Sequence, residues 1–306
     1  MKRKPTHRRR FTLGTIVAMC SASCFTTPSM ATEGGGSIYP AGAENYGCCA
    51  LPPPGLYGQF YAEQYNATSL RDNDGNRSPV NGFQVKASAI VPRLIWVTNA
   101  QILGGSLAFH TIAPLITLGV QASGESQRKT GVGDVDVGAA VGWHFSPQLH
   151  ALIAVDGFAP TGGYDKNDLA NIGRNYWAIQ PIVGISRIDP EGLNGDAKVM
   201  YTINSINKAT DYHSGQELIV DYSLGYGLFK HWVVGVGGYW YVQTTDDRQY
   251  GATIANNRGR SFSIGPSIKY DSGKGWFASL KYETETMVRN RADGGAFWLK
   301  ATFPIH

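Results

Sequence analysis

The chain has 306 residues, room for one large domain or two modest ones, and only 16% of them are charged, well below the usual quarter. Gly (38) and Tyr (16) are abundant, a composition that argues against a helical bundle and suits strands with one face against something apolar. The formal charge of +4 is no sign of nucleic-acid binding: six of the 27 basic residues precede Ala31, no acid stands among them, and the remainder carries −2.

Taken in chain order, residues 1–31 read as an export signal. Lys2, Arg3, Lys4, Arg8, Arg9 and Arg10 precede an apolar stretch over 11–25, and Ser29-Met30-Ala31 places cleavage near Ala31. The apolar stretch is shorter than the ~20 residues of a helical span. Arg8-Arg9-Arg10-Phe11 resembles a twin-arginine signal, which is set aside because a barrel must cross the inner membrane unfolded. Ser21 stands where a lipoprotein signal needs an aliphatic residue before Cys24. Residues 32–55 show no periodicity and form an extended periplasmic lead-in that can tuck into a barrel mouth. Within it Cys48 and Cys49 are either a strained vicinal pair or two free thiols. No His or further Cys lies nearby to complete a metal site, and none is expected.

From 56 to 304 the pattern is regular. Leu218, Val220, Tyr222, Leu224, Tyr226 and Leu228 share one face of a strand, while Asp221, Ser223, Gly225 and Gly227 fall on the other. The same alternation runs through 135–145, 262–270 and 276–283. These runs exceed the ~5–6 residues of globular strands and match the ~9–11 of a tilted membrane strand. Strands are expected near 56–66, 82–97, 105–120, 132–145, 148–160, 175–188, 195–205, 217–229, 232–244, 259–271, 274–286 and 294–304. Long linkers alternate with short ones such as Ser146-Pro147 and Lys230-His231. Such parity predicts an all-β, closed antiparallel transmembrane barrel of about 12 strands, with short periplasmic turns and long external loops. Trp143, Trp177, Trp232, Trp240 and Trp276 near strand ends fit aromatic girdles, whereas Trp298 shares the parity of Lys300 and points inward. Pro92 and Pro114 are each expected to interrupt a strand.

The inward polar set is the candidate lumen lining: Asp134, Asp136, His144, Asp156, Asp196, Lys198, Asp221, Lys269, Lys281, Glu283 and Lys300, with His150 beside His144. Both signs occur, so mutual pairing in a wet or plugged lumen and the lining of a permeation path are both readings. No phosphate loop, nucleophile elbow or metal spacing is present, so no catalytic residue and no cofactor is assigned. A lipid-modifying enzyme would need a Ser and a His together at the external rim, where His213-Ser214 are adjacent in sequence alone. Asp72 to Asn76 has the look of a calcium loop but lacks its terminal Glu, which favours an Asx/Gly turn.

Several stretches resemble the outer-membrane family named for the meta-pathway of phenol degradation. They are Ala50-Leu51-Pro52-Pro53-Pro54-Gly55-Leu56-Tyr57, the loop Asp72 to Asn76, Gly131-Val132-Gly133-Asp134, Ala159-Pro160-Thr161-Gly162-Gly163-Tyr164-Asp165, Asn171-Ile172-Gly173-Arg174-Asn175, and Trp298-Leu299-Lys300-Ala301-Thr302-Phe303-Pro304. The resemblance implies a monomeric barrel in the bacterial outer membrane, set in lipid and lipopolysaccharide and inserted by the barrel-assembly machinery. It also implies passive uptake of small hydrophobic or aromatic solutes, and no nucleic acid. The alternatives are a lipid-modifying enzyme and a structural barrel without transport. Asp165, Asn171 and Asn175 are candidate rim residues, with turn chemistry as the competing role. The tail departs from a terminal aromatic: Phe303 is followed by Pro304, Ile305 and His306.

Overall fold

The computed structural model describes residues 30–305, so the expected export signal lies outside the described residues except for Met30 and Ala31. Twelve staves build the molecule. They are β1 (Gly55–Leu70), β2 (Gln84–Ile102), β3 in two pieces (Gly105–Ile112 and Leu115–Ala122), β4 in two pieces (Glu125–Val132 and Val135–His144), β5 (Leu149–Ala159), β6 (Ala178–Arg187), β7 (Leu193–Asn204), β8 (Glu217–Leu228), β9 (Trp232–Gln243), β10 (Arg260–Asp271), β11 (Phe277–Arg289) and β12 (Ala292–Ile305). Each pairs antiparallel with its successor, and β1 closes the ring: Leu56 lies opposite both Trp96 of β2 and Ile305 of β12. Closure leaves an unpaired edge at one place only among the described residues; elsewhere every stave is paired on both sides, the condition for strands in hydrocarbon.

Period-2 patterning sets the two surfaces. On β6, Ile179, Val183 and Ile185 are about half exposed, while Gln180, Ile182 and Ser186 between them are buried. A soluble protein would hide those aliphatics; a band of them around the barrel is a lipid-facing surface. At the short-turn end Trp232, Tyr270 and Trp276 cluster, with ring centroids 4.7 and 5.6 Å apart. Nearer the long-loop end Trp240 lies opposite Phe262, which stacks on Tyr222. Trp298 points inward, buried, and donates from Nε1 to Glu283 Oε1 at 3.0 Å.

Three details differ from the sequence expectation. β2 runs unbroken through Pro92. The interruption is at Pro114, and Pro92 lies opposite it, between the Ile90–Leu115 and Arg93–Ile112 pairs, so one gap in the ladder accommodates both prolines. Residues 121–131 are not an open loop but two strand ends around a tight turn at Ser123-Gly124, both at positive φ. β4 breaks at Gly133-Asp134, level with Pro114, where Gly133 N donates to Pro114 O at 2.8 Å. Beyond that break, Glu125–Val132 pairs with β3 but has no strand on its other edge among the described residues, because β5 stops at Ala159. The wall is thus incomplete at one place, on the long-loop side.

Candidate functional site: a plugged lumen with two cavities

A side chain directed inward by a strand needs water or a partner, and here the partner is the lead-in. Residues 31–52 do not stop at the mouth. They pass through the lumen from the long-loop end to the short-turn end. Near the loops, Ala31 N donates to Asn290 O and Thr32 N to Asp247 Oδ2. The Glu33 carboxylate accepts from Tyr164, Asn207 and Thr210 at 2.7–2.9 Å. At mid-lumen Asp221 of β8 receives three donors: Tyr39 OH at 2.7, Gly42 N at 2.8 and Glu44 N at 3.1 Å. Gly42 has φ +88°, and a Cβ there would lie 2.1 Å from Glu283 Oε1, so both backbone hand and space require glycine. Lys281 of β11 donates to the carbonyls of Gly42 and Glu44 and pairs with Glu283. Further down, Asp196 of β7 accepts from Gly47 N and Cys48 N, and Cys49 N donates to Ser186 Oγ.

The centre of the plug is Glu44. Lys300 Nζ (β12) lies 2.6 Å from Oε2, while Lys198 Nζ (β7), Tyr61 OH (β1) and Arg93 Nη1 (β2) lie 3.2, 3.1 and 3.5 Å from Oε1. Burial by itself would raise the carboxyl's pKa, but Lys300, Lys198 and Arg93 outweigh it and hold Glu44 well below the usual carboxylate range. Tyr39 moves the other way, pushed up by burial and by the facing Asp221 and Glu44.

Two cavities flank this knot, and both touch Glu44, Arg93, Asp156 and Lys198. The cavity toward the turns holds about 120 Å³, between Leu51, Phe109, Leu152 and Phe277. The cavity toward the loops holds about 220 Å³, against Ala87, Val91, Ile116, Phe158 and Trp298, and it abuts the wall break at Pro114 and Asp134. The loop joining β5 and β6 covers the break. Asp134 accepts from Gly162 N at 2.9 and Arg174 N at 2.7 Å, Thr161 Oγ1 bridges Gly133 O and Val135 N, and Asp168 pairs with Lys129. Gly162 and Gly173 meet back to back there, a Cβ on either falling within about 2.6 Å of the other's backbone.

Of the expected lining residues, Asp196, Lys198, Asp221, Lys281, Glu283 and Lys300 are buried around the plug. Asp136 and Asp156 instead face His110, whose Nε2 is 3.4 and 3.3 Å from them. Those spacings would suit a cation, but Arg93 Nη2 sits 2.8 Å from His110 Nδ1 and can only donate. The free proton of a neutral His110 is therefore on Nε2, aimed at the carboxylates, and a metal would have to displace it. Asp134 fastens the covering loop rather than pointing a free charge into the lumen. His144 and Lys269 sit apart at the short-turn end, His144 against His150 at 2.6 Å and Lys269 against Asp271 at 3.3 Å. At the rim, Asp165 N donates to Asn171 Oδ1 and Asn175 Nδ2 to Asn207 Oδ1. His213 Nε2 is spent on Asn204 O and Ser214 Oγ accepts from Glu33 N, so the adjacent pair does not face itself as base and nucleophile. Cys48 and Cys49 are free thiols, Sγ atoms 3.0 Å apart.

Sequence reasoning missed Glu44, Arg93 and Tyr61. One signal was available: Glu33 and Glu44 are the only charged residues between 32 and 55, with no base beside them to pair with.

A model of the family described as "Putative MetA-pathway of phenol degradation" matches residues 67–301. Among solved structures, an outer membrane channel from Pseudomonas putida F1 superposes with a TM-score of 0.76 at 15% identity, covering 86% of this chain and all of that one. The transport unit of the autotransporter AIDA-I from Escherichia coli gives 0.49 at 6% identity, covering 84% and 92%. A monoaromatic hydrocarbon channel, CymD, gives 0.42 at 10% identity, covering 83% and 89%. At these identities the first of them speaks for the fold, that of an outer-membrane channel, and the other two add nothing to it. No curated protein sequence matches.

Proposed function

The chain belongs to the MetA-pathway phenol-degradation family, and from that premise we propose that it is a passive outer-membrane channel for small hydrophobic, including aromatic, solutes, held closed here by its own lead-in. The observation that carries this reading is the pair of apolar-walled cavities in line along the lumen, separated by the Glu44 knot. An apolar cavity of about 150 Å³ is large enough to hold benzene. The 220 Å³ cavity therefore has room for one substituted ring. A polar lining throughout would favour sugars or ions; here apolar side chains make up much of both walls, with charged groups at the knot and, in the larger cavity, at Glu63, Asp136 and Arg174, as in ligand sites where a few charges orient an apolar body. The wall break beside the larger cavity offers an apolar solute a second route, sideways toward lipid, once the covering loop moves.

The test is uptake by the full chain reconstituted in vesicles with a lipopolysaccharide outer leaflet, which slows passive entry of apolar solutes. Faster entry of toluene and benzyl alcohol than in protein-free vesicles, with little entry of a pentose, is the expected result. Equal entry of aromatics with and without the protein refutes the reading.

A further inference from the structure

We propose that Glu44 occupies a carboxylate subsite of the transport path, and that this channel favours apolar solutes bearing one carboxylate, which open it by taking the place of Glu44. The inference rests on the channel reading above and names its solute class.

The four donors to Glu44 belong to the wall, one each from β1, β2, β7 and β12, whereas the carboxylate belongs to a segment that is not part of the wall. Lys198 and Lys300 have no other acid within ion-pair distance among the described residues. Asp156, the wall acid common to both cavities, lies 3.3 Å from His110 and outside ion-pair distance of either lysine. Withdrawing the lead-in alone would leave two ammonium groups and a guanidinium without the carboxylate they share, with Asp156 as the remaining acid beside them, which is unfavourable. An arriving anion removes that obstacle. Both carboxylate oxygens are used, Oε2 by Lys300 and Oε1 by Lys198, Tyr61 and Arg93, so the subsite matches a two-oxygen anion and not a lone hydroxyl. Next to it the larger cavity supplies apolar walls, Val91, Phe158 and Trp298 among them, for the rest of the molecule. Charge and shape together describe an aryl or alkyl monocarboxylate.

The experiment uses the full chain in planar bilayers at pH 7, with benzoate and its neutral analogue benzyl alcohol as probes. Benzoate is expected to raise the open probability at a concentration at least tenfold below that of benzyl alcohol. Glu44→Gln is expected to open without added solute, and Lys300→Gln to lose the preference for benzoate. Should either variant fail to fold, protease sensitivity of residues 32–54 in the unmodified chain decides the matter: benzoate should raise it at a concentration at least tenfold below that at which benzyl alcohol does. Equal potency of the two probes, with both permeating, overturns the carboxylate subsite and leaves the channel standing. If neither probe opens the chain, and Glu44→Gln stays closed, the channel reading fails as well.

Discussion

Asp221→Asn tests whether the lead-in is held by the contacts that the geometry assigns to it. Asp221 is buried and serves three donors from the plug, Tyr39 OH and Glu44 N on Oδ2 and Gly42 N on Oδ1. An asparagine keeps the shape but has one acceptor oxygen. If that oxygen stays with Tyr39 and Glu44, the side-chain NH2 is turned on the Gly42 N–H, donor against donor. One charge-assisted bond is lost, worth about 1.5–3 kcal/mol, and the two others fall to neutral strength, about 1 kcal/mol weaker each. The plug is therefore released by roughly 3.5–5 kcal/mol, a shift on the order of several hundred- to several thousand-fold toward the open lumen. The wall should be untouched, because the β8 ladder runs through the Asp221 backbone opposite Lys198 and Tyr239 and not through its carboxylate. The assays are single-channel conductance, protease sensitivity of residues 32–54, and heat-modifiable gel migration as the check on barrel closure. A variant with native migration that keeps both wild-type conductance and wild-type protection refutes the assignment.

Asp134→Ala removes the acceptor of Gly162 N and Arg174 N, about 1–3 kcal/mol for each donor left bare, so exchange at those two amides should quicken at least tenfold while the β5 and β6 amides stay protected. Unchanged exchange at both would show that the loop is held over the wall break by something else. Acidification to pH 5 should not release the plug through Glu44. The folded-state pKa of Glu44 is depressed from an ordinary 4.5, so its stabilising contribution is present in full above that value and is lost only as pH falls through the lower, folded one. Glu44 should therefore stay ionised from pH 7 to pH 5, and an infrared carboxylate signal lost between those values in the unmodified chain but absent from Glu44→Gln would contradict it.

The barrel was legible because each strand carries its own evidence. Ile179, Val183 and Ile185 against Gln180 and Ser186 need no knowledge of neighbours to be sorted into two faces, and the inward turn of Trp298 follows from its parity with Lys300. The wall break was not legible because it depends on pairing. Pro92 and Pro114 look equivalent in sequence, and only their placement across the β2–β3 ladder lets one gap serve both. The functional centre was half legible: periodicity found Lys198, Asp221, Lys281 and Lys300, but their partners come from a segment without period. Glu44 meets Lys300 across 256 positions of sequence, and no local pattern encodes such a contact.

The way the plug is fastened differs along its length. From Thr32 to Ser37 its attachments to loops and wall are hydrogen bonds, and from Tyr39 to Glu44 hydrogen bonds and ion pairs through Asp221, Lys281, Lys198 and Lys300 join the apolar contacts of Tyr39, Ala41 and Ala43. Water can replace the neutral hydrogen bonds among these, so their net hold is small compared with their number, whereas the ion pairs at Glu44 yield to an anion. Below Glu44 the character changes. Cys49 is fully buried among Leu152, Ile182, Met200 and Ile219, and burial of that kind has no substitute in water. The apolar anchor also lies next to the covalent tether, since β1 begins at Gly55. A segment tied by exchangeable contacts at one end and by apolar packing and the chain itself at the other yields from the long-loop side first. The cavity uncovered first by that order is the larger one, beside the break in the wall, with Lys198 and Arg93 at its floor.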